Sequence, residues 1–392
     1  MQPKDFVDSE YGRPARRPGD KWAYWYYSPR PVPRSISLSP LLIGRLSEAD
    51  AALGRLAGLG HLITDPGALI GPLLTREALA SSRIEGTVAS LSDVLQAEAA
   101  DAEAEESDDV REVSRYLSAS RKAFNLIETL PISQRLILEV HETLLSGVRG
   151  EEKNPGEFRR TPVWVGKAHD TPDTAVFVPP LPDEIPDLLK DWEKFVNEPS
   201  DLPVLVQCAL MHYQFETIHP FLDGNGRIGR LLISLLLKER GRLDLPLLYL
   251  SNYFENHRTE YYDALQGVRE TGDIDTWISM FLVAVQQQAT DAVIRARRLV
   301  ELRERYFREA TTGRSSLPRL VAVLMSNPFV TVKSVQRETE MSGQGARNLI
   351  RSAVEKGWLT ELGSRGRGGR EHWVAHEVLD ILEAPFNYDS EG

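Results

Sequence analysis

A chain of 392 residues, 42% hydrophobic and 26% charged, has ample core for two or three domains and the balance of an ordinary globular protein. Its net charge of −11 argues against non-specific binding of nucleic acid or anionic membrane by the molecule as a whole. A single cysteine, Cys208, excludes a disulfide within the chain and fits a reducing compartment, and no apolar run reaches the ~18 residues that a membrane-spanning helix needs. The opening residues Met1 to Asp5 do not read as a signal peptide, so the expectation is a soluble cytoplasmic protein with no membrane partner.

Residues 1–35 are rich in proline and arginine and hold the aromatic run Trp22 to Tyr27, which reads as an extended arm with its rings against the body. From Pro40, Leu41, Leu42, Leu46, Leu53 and Leu56 predict a helix that stops near Gly58-Leu59-Gly60. The stretch from Thr75 to Gly86 predicts another, capped by Thr75 and ended by Gly86. Ser81 and Glu85 share a face there, and a glutamate in a last turn opposes the helix dipole unless it has a cationic partner. Residues 98–109 carry seven acidic side chains and no basic one, the composition of a solvated loop or helix end. Two amphipathic helices follow between Val110 and Leu145, divided at Leu130-Pro131.

Strand character appears only after Pro155-Gly156-Glu157-Phe158-Arg159-Arg160: Val163 to Gly166 and Val176 to Val178 flank a polar turn and predict a β-hairpin. Helical patterning resumes at Asp183. The apolar run Leu202 to Phe215 and the leucine-rich run Leu231 to Leu237 predict two central helices joined by His219-Pro220-Phe221-Leu222-Asp223-Gly224-Asn225-Gly226-Arg227-Ile228-Gly229-Arg230. Glycines let that connection approach a ligand, and the helix beginning there offers N–H groups and a positive end to an anion. Arg227 and Arg230 share one face, and guanidinium forks fit phosphate oxygens. Asp223 is a hard oxygen donor suited to magnesium, and His219 can take a proton near neutral pH. Together these groups describe transfer of a phosphate-containing group to a hydroxyl.

The twelve-residue stretch resembles the motif of the Fic family, His-Pro-Phe-x-Asp/Glu-Gly-Asn-Gly-Arg-x-x-Arg, at every fixed position. The resemblance implies a protein adenylyltransferase that moves AMP from Mg–ATP to a Ser, Thr or Tyr hydroxyl of a protein, itself included. It makes His219 the general base and Asp223 the magnesium ligand. Gly224 to Gly226 with Arg227 take the α- and β-phosphates, Arg230 the γ-phosphate, and Ile228 and Gly229 complete the nucleotide-binding stretch. Gly226 stands where the family's phosphorylating branch has lysine. Ser81-x-x-x-Glu85-Gly86 resembles the inhibitory signature of the class that carries its inhibitory helix ahead of the motif, which implies a Glu85–Arg230 ion pair in the place of the γ-phosphate. The predicted hairpin resembles the Fic flap, whose edge pairs with the target's main chain and which puts Val165, Gly166 and Lys167 against the nucleotide. Tyr261 or Tyr262 would lie near adenine, although ordinary helix packing explains both. Arg269 stands where many relatives have asparagine.

A charged helix at 291–312 reads as a linker. Beyond it, Val332 onward, then Ser342 to Ile350, then Gly357 to Glu361 and Glu371 to Val374 run helix, turn, helix, hairpin, the order of a winged helix-turn-helix. Ten basic and five acidic residues between 313 and 376 give that stretch a net charge of +5. Arg347, Arg351, Arg365, Arg367 and Arg370 would face a duplex if it binds DNA; a protein-binding or homodimer-forming module is the other reading. The expected fold is therefore mainly α: a Fic-type helical bundle with a β-hairpin flap, plus a C-terminal winged helix. The expected divisions are 1–110 with the inhibitory helix near 75–86, a catalytic core at 111–290, the linker at 291–312 and the winged helix at 313–392. The alternative function is a DNA-binding regulator whose core senses nucleotide or removes AMP.

Overall fold

The computed structural model describes residues 1–19, 23–62, 67–100, 107–167, 169–311, 316–365 and 370–385. In chain order the elements are β1 (Gly12–Arg16), β2 (Trp25–Pro29), α1 (Pro40–Leu62), α2 (Gly67–Ile84), α3 (Leu91–Ala99), α4 (Asp108–Leu126), α5 (Gln134–Leu145), α6 (Ile185–Asn197) and α7 (Val204–Ile218). There follow α8 (Asn225–Glu239), α9 (Ser251–Asn256), α10 (Arg258–Thr271), α11 (Ile274–Ala310), α12 (Leu317–Ser326), β3 (Phe329–Val330), α13 (Val332–Thr339), α14 (Gly343–Glu355), β4 (Thr360–Arg365), β5 (Arg370–Val374) and α15 (His376–Glu383). The protein is thus mainly helical with small antiparallel sheets. Of the expected linker at 291–312, residues 291–310 are the second half of the uninterrupted α11. The chain divides into two compact units: Met1–Leu53, Arg115–Leu243 and Leu250–Gln287 form the first, and Gly54–Ser114, Asp244–Tyr249 and Gln288–Gly392 the second.

The first unit is built around α7 and α8. Nearly every residue of α7 is buried, which its unbroken apolar sequence dictates, since a helix hydrophobic all round has no face for water. Trp192 and Trp277 both donate their indole N–H to α7 carbonyls, of Met211 (3.0 Å) and Ala209 (2.9 Å), so even the polar atoms on its flanks are satisfied. Each fully buried large side chain here contributes about 1.5–3 kcal/mol. The amphipathic α6 adds Ile185, Leu189, Trp192, Phe195 and Val196.

Two expectations for this unit are corrected. The N-terminal arm is not merely extended: β1 and β2 pair antiparallel, Gly12 opposite Pro29 and Arg16 opposite Trp25. Tyr24, Tyr26 and Tyr27 do bury their rings, in a cluster with Met1, Phe6, Ala175, Phe177 and Val178; Trp22 lies outside the described residues. The expected β-hairpin flap carries, among the described residues, only one bridge, Val165 opposite Phe177 (N···O 2.8 and 3.2 Å). Prolines at 162, 172, 179 and 180 deny the segment the donors of a longer ladder. Its turn is stitched by side chains instead, with Trp164 Nε1 donating to Asp170 O (2.8 Å) and Thr174 Oγ1 to Asp170 Oδ1 (3.0 Å).

In the second unit α2 begins well before the predicted start, so Thr75 lies mid-helix, its hydroxyl bonded back to Gly71 O (3.1 Å) rather than capping. The C-terminal end is as the glycine indicated. Gly86 takes φ +99°, its N–H bonds Arg83 O (3.0 Å), and Thr87 N bonds Ser82 O (3.2 Å), closing the helix in a Schellman motif. Glu85 is consequently the capping residue just past the last turn, and it is exposed. Of the acidic run, 101–106 lie outside the described residues. At the C-terminal end of the unit, α13 is capped by the Thr331–Ser334 box and α14 by Ser342, whose side chain accepts from Gly345 N. The strands order β3-β5-β4, all antiparallel, with a register shift between Glu361 and Gly363. The short β3 was not foreseen. Arg367, and the side chains of Arg365 and Arg370, lie outside what is described.

Candidate active site

The connection between α7 and α8 is held in shape by Arg159, Asn225 and His141. His219 ends α7 in the left-handed region, φ +51°, while its N–H still bonds Phe215 O (3.0 Å). A non-glycine residue there is strained by roughly 1–3 kcal/mol and needs its surroundings to hold it. Arg159, buried, supplies one such hold by donating Nε to His219 O (2.8 Å).

Asn225 supplies another. Its side-chain carbonyl accepts from Phe221 N (2.9 Å) and its amide donates to Phe221 O (2.9 Å), so both ends of the side chain are spent on the loop. The Asn225 backbone N–H, at the start of α8, stays outside these bonds. His141 on α5 stacks on the Phe221 ring at 3.7 Å and 7°. Its Nδ1 accepts from Gly156 N (2.9 Å), which leaves Nε2 to donate to Asp223 O (3.0 Å). Burial pulls His141 from 6.5 down to about 4, so it is neutral and keeps that acceptor at physiological pH. A depressed histidine stabilises the fold above its ordinary value, and that support is lost as pH falls through about 4. Neither Arg159 nor His141 stood out in the sequence; Gly156-x-Phe158-Arg159 beside a strand run was the available signal.

Gly224 starts α8 with φ +80°, and a Cβ there would meet Leu144 (3.3 Å) and His141 (3.4 Å). Gly226 is already helical, so of the two glycines only Gly224 needs the left-handed conformation. The first N–H groups of α8 have no acceptor inside the helix and point out of its positive end. Above them Arg227 is 3% exposed, donates Nη2 to Asp223 Oδ1 (3.1 Å), and has no hydrogen-bond partner for Nε. Arg230 is 2% exposed on the same helix. A buried guanidinium donor without a partner, over a helix amino end, has the chemistry to receive an anion.

Asp223 is half-exposed. Its Oδ1 serves Arg227 and Gly224 N, and its Oδ2 faces Gly150, where an added Cβ would come within 2.9 Å. Gly150 itself sits at φ +94°. Gly150→Ala is therefore expected to push the carboxylate off its position and to strain the turn by about 1 kcal/mol or more. The check is ATP affinity with and without magnesium: the variant should lose the difference that magnesium makes in the parent.

The remaining predicted residues are placed as follows. Val165, Gly166 and Lys167 are exposed, and Asp170, unnoticed in the sequence, shapes them: its carboxylate accepts from Lys167 N and would lie 2.3 Å from a Cβ on Gly166. Tyr261 is 1% exposed, its hydroxyl 2.8 Å from His212 Nε2 and its ring stacked on Phe254 at 4.5 Å, so it is packed as a core residue. Tyr262 is 42% exposed, with Arg258 5.8 Å from its ring. Ile228 and Gly229 are buried in α8. Ser81, fully buried, and Glu85 and Gly86, both exposed, belong to the second unit. The first unit thus gathers His219 and Asp223 to Arg230 on one loop and helix end.

Comparison with known proteins finds relatives of one family. Residues 43–125 match the Fic/DOC family N-terminal model and residues 131–237 the Fic/DOC family model. A relative from Aedes aegypti named protein adenylyltransferase Fic is 31% identical over 223 residues, 56% of this chain and 38% of the relative. One of the same name from Drosophila grimshawi is 36% identical over 166 residues, 42% of this chain and 30% of the relative. The chain spans about a third of the length of these relatives. Among solved structures, a Fic family protein from Desulfovibrio desulfuricans G20 superposes with a TM-score of 0.57 at 20% identity, covering 87% of this chain and 97% of that one. Fic-1 (aa134–508) from C. elegans gives 0.50 at 22% identity, covering 67% and 75%. With both domain models matched in sequence and the fold shared, residues 43–125 and 131–237 carry the N-terminal and the Fic domain of the Fic/DOC family.

Proposed function

We propose that the protein is an adenylyltransferase that moves AMP from ATP to a Ser, Thr or Tyr hydroxyl of a protein. The observation that carries this reading is the buried, unpartnered Nε of Arg227 over the amino end of α8, beside Asp223 and His219. The α8 N–H groups and Arg227 hold the α- and β-phosphates, and Arg230 holds the γ-phosphate. His219 accepts the proton of the target hydroxyl as its oxygen bonds the α-phosphorus; the bond to the β-phosphate oxygen breaks and pyrophosphate leaves. Asp223 is the hard oxygen donor at this site that would hold a divalent ion, and a single carboxylate beside phosphates suits magnesium. Bound there, magnesium would neutralise phosphate charge, and Asp223 Oδ2 is the oxygen left for it. Incubation with ATP labelled at the α- or at the γ-phosphate tests the reading. Label retained from the α position alone is the expected result; retention from γ would make the chemistry phosphorylation.

Inhibition is part of the same proposal. Glu85 caps α2 as an exposed carboxylate, and its pairing with Arg230 would deny the γ-phosphate its partner. The C-terminal segment from α12 to α15 we read as a winged helix-turn-helix. On α14 the exposed residues Gln344, Arg347, Asn348 and Arg351 recur at three- and four-residue spacing on one face. Arginine, glutamine and asparagine are the side chains that read guanine and adenine edges, which favours duplex DNA over a protein as the partner of this face. Arg347→Ala with Arg351→Ala is expected to weaken duplex binding by about tenfold or more and to flatten its salt dependence. Binding that is unchanged would turn the face over to a protein partner.

A further inference from the structure

We propose that two buried guanidiniums, Arg159 and Arg269, are positioning residues that fix segment 161–178 against the end of α7 bearing His219, and thereby align a target hydroxyl with the imidazole. The proposal rests on the transferase reading for its consequence, though not for its geometry.

Among the described residues the segment has one β-bridge and the side-chain bonds of its turn around Asp170, and Trp164, Val165 and Val176 are 42%, 42% and 59% exposed. Phe177 and Val178 pack with Tyr24, Tyr26 and Tyr27, and Tyr27 N donates to Val178 O (2.9 Å). Two arginines tie both limbs to the end of α7. Arg159 is 3% exposed and gives its donors to backbone carbonyls at both ends of the segment and at the α7 terminus. Nη1 donates to Thr161 O (3.4 Å), Nη2 to Pro180 O (2.6 Å) and Ile218 O (3.3 Å), and Nε to His219 O (2.8 Å). Its own N–H bonds Pro220 O (2.9 Å). Burial pulls its pKa down to about 10, which still leaves it charged at neutral pH.

Arg269 holds the returning limb. It is 6% exposed, and Nε and Nη2 both donate to Thr217 Oγ1 (3.2 and 3.1 Å), two residues before His219. Its guanidinium centre lies 4.0 Å from the Phe177 ring centroid, and Nη1 donates to Gln266 Oε1 (3.1 Å), while Gln266 Nε2 reaches Val176 O (3.4 Å). Phe177 is the residue bridged to Val165, so the hold on one limb is passed to the other. The carbonyls and hydroxyl engaged by the two arginines include Thr217, Ile218 and His219, three consecutive residues.

Stability alone is a poor account of this arrangement. Burying a cation whose hydrogen-bond partners are all neutral costs more than burying an apolar side chain of the same volume, so packing would be served better without the charge. What a planar fork supplies, and an apolar residue or lysine cannot, is several directed bonds that set one chain segment relative to another. Displacing a reacting group by about 1 Å costs about 10²-fold in rate.

The test uses the full chain in the Glu85→Gly background, with α-labelled ATP and magnesium and the protein itself as acceptor. Three quantities are read: label transfer, ATP affinity by calorimetry, and amide exchange across 161–178. Arg159→Ala and Arg269→Gln are each expected to speed exchange in that segment, to slow transfer by about 10²-fold, and to leave ATP affinity within about twofold, because the α8 site is untouched. The double variant should be little slower than the worse single, since both act on one element. Arg159→Lys keeps the charge but not the fork; it should fold, and transfer slowly, even if Arg159→Ala does not fold. Faster exchange with unimpaired transfer would overturn the proposal, as would unchanged exchange, or ATP affinity falling in step with transfer. If the Glu85→Gly parent takes no label, the transferase reading has failed, and the exchange rates still decide whether the two arginines hold the segment.

Discussion

Glu85→Gly should label itself with AMP faster than the unaltered protein by on the order of 10- to 100-fold, the range set by releasing one close charge pair. The fold has little reason to object. Glu85 caps α2 just outside its last turn, is exposed, and places a negative charge where the helix dipole disfavours one. Surface changes of this kind usually stay within about 0.5 kcal/mol, so a gain in labelling would not be a by-product of altered stability. The gain should depend on Arg230, because that guanidinium then takes the γ-phosphate. Glu85→Gly with Arg230→Ala should therefore fall back toward the parent. Equal labelling by parent and Glu85→Gly would remove the carboxylate from any inhibitory role.

His219→Ala is the second large effect expected: loss of transfer by about 10²–10⁴-fold, the usual contribution of a positioned general base. Alanine is a poor occupant of φ +51°, so His219→Asn is the cleaner variant, asparagine being among the residues that tolerate the left-handed region. Both should bind ATP as the parent does, since the α8 N–H groups and Arg227 are unaltered. Labelling retained in His219→Asn would show that another group takes the proton.

What the sequence made legible follows physical lines. The α7–α8 core and its loop could be read because their signals are local: an apolar run with no polar face, then twelve residues whose chemistry has no use in a core. The end of α2 was equally local, resting on Gly86. The holds on the loop were not legible. His141, Arg159 and Arg269 act on partners 52 to 82 residues away in the chain, a separation that local patterning does not reveal. The start of α2 was misjudged because Thr75 is a good cap by type, yet here its hydroxyl bonds back along a helix that had already begun. The flap was overdrawn because β-type residues promise strands, while its prolines withhold the donors that a ladder needs. Nor was it legible that the Asn225 side chain braces Phe221.

The most direct measurement is the intact mass of Glu85→Gly after incubation with Mg–ATP, beside the same variant carrying His219→Asn. The account predicts a mass increase of one AMP moiety per modified hydroxyl in the first and none in the second. No increase in Glu85→Gly, or an equal increase in both, would contradict it.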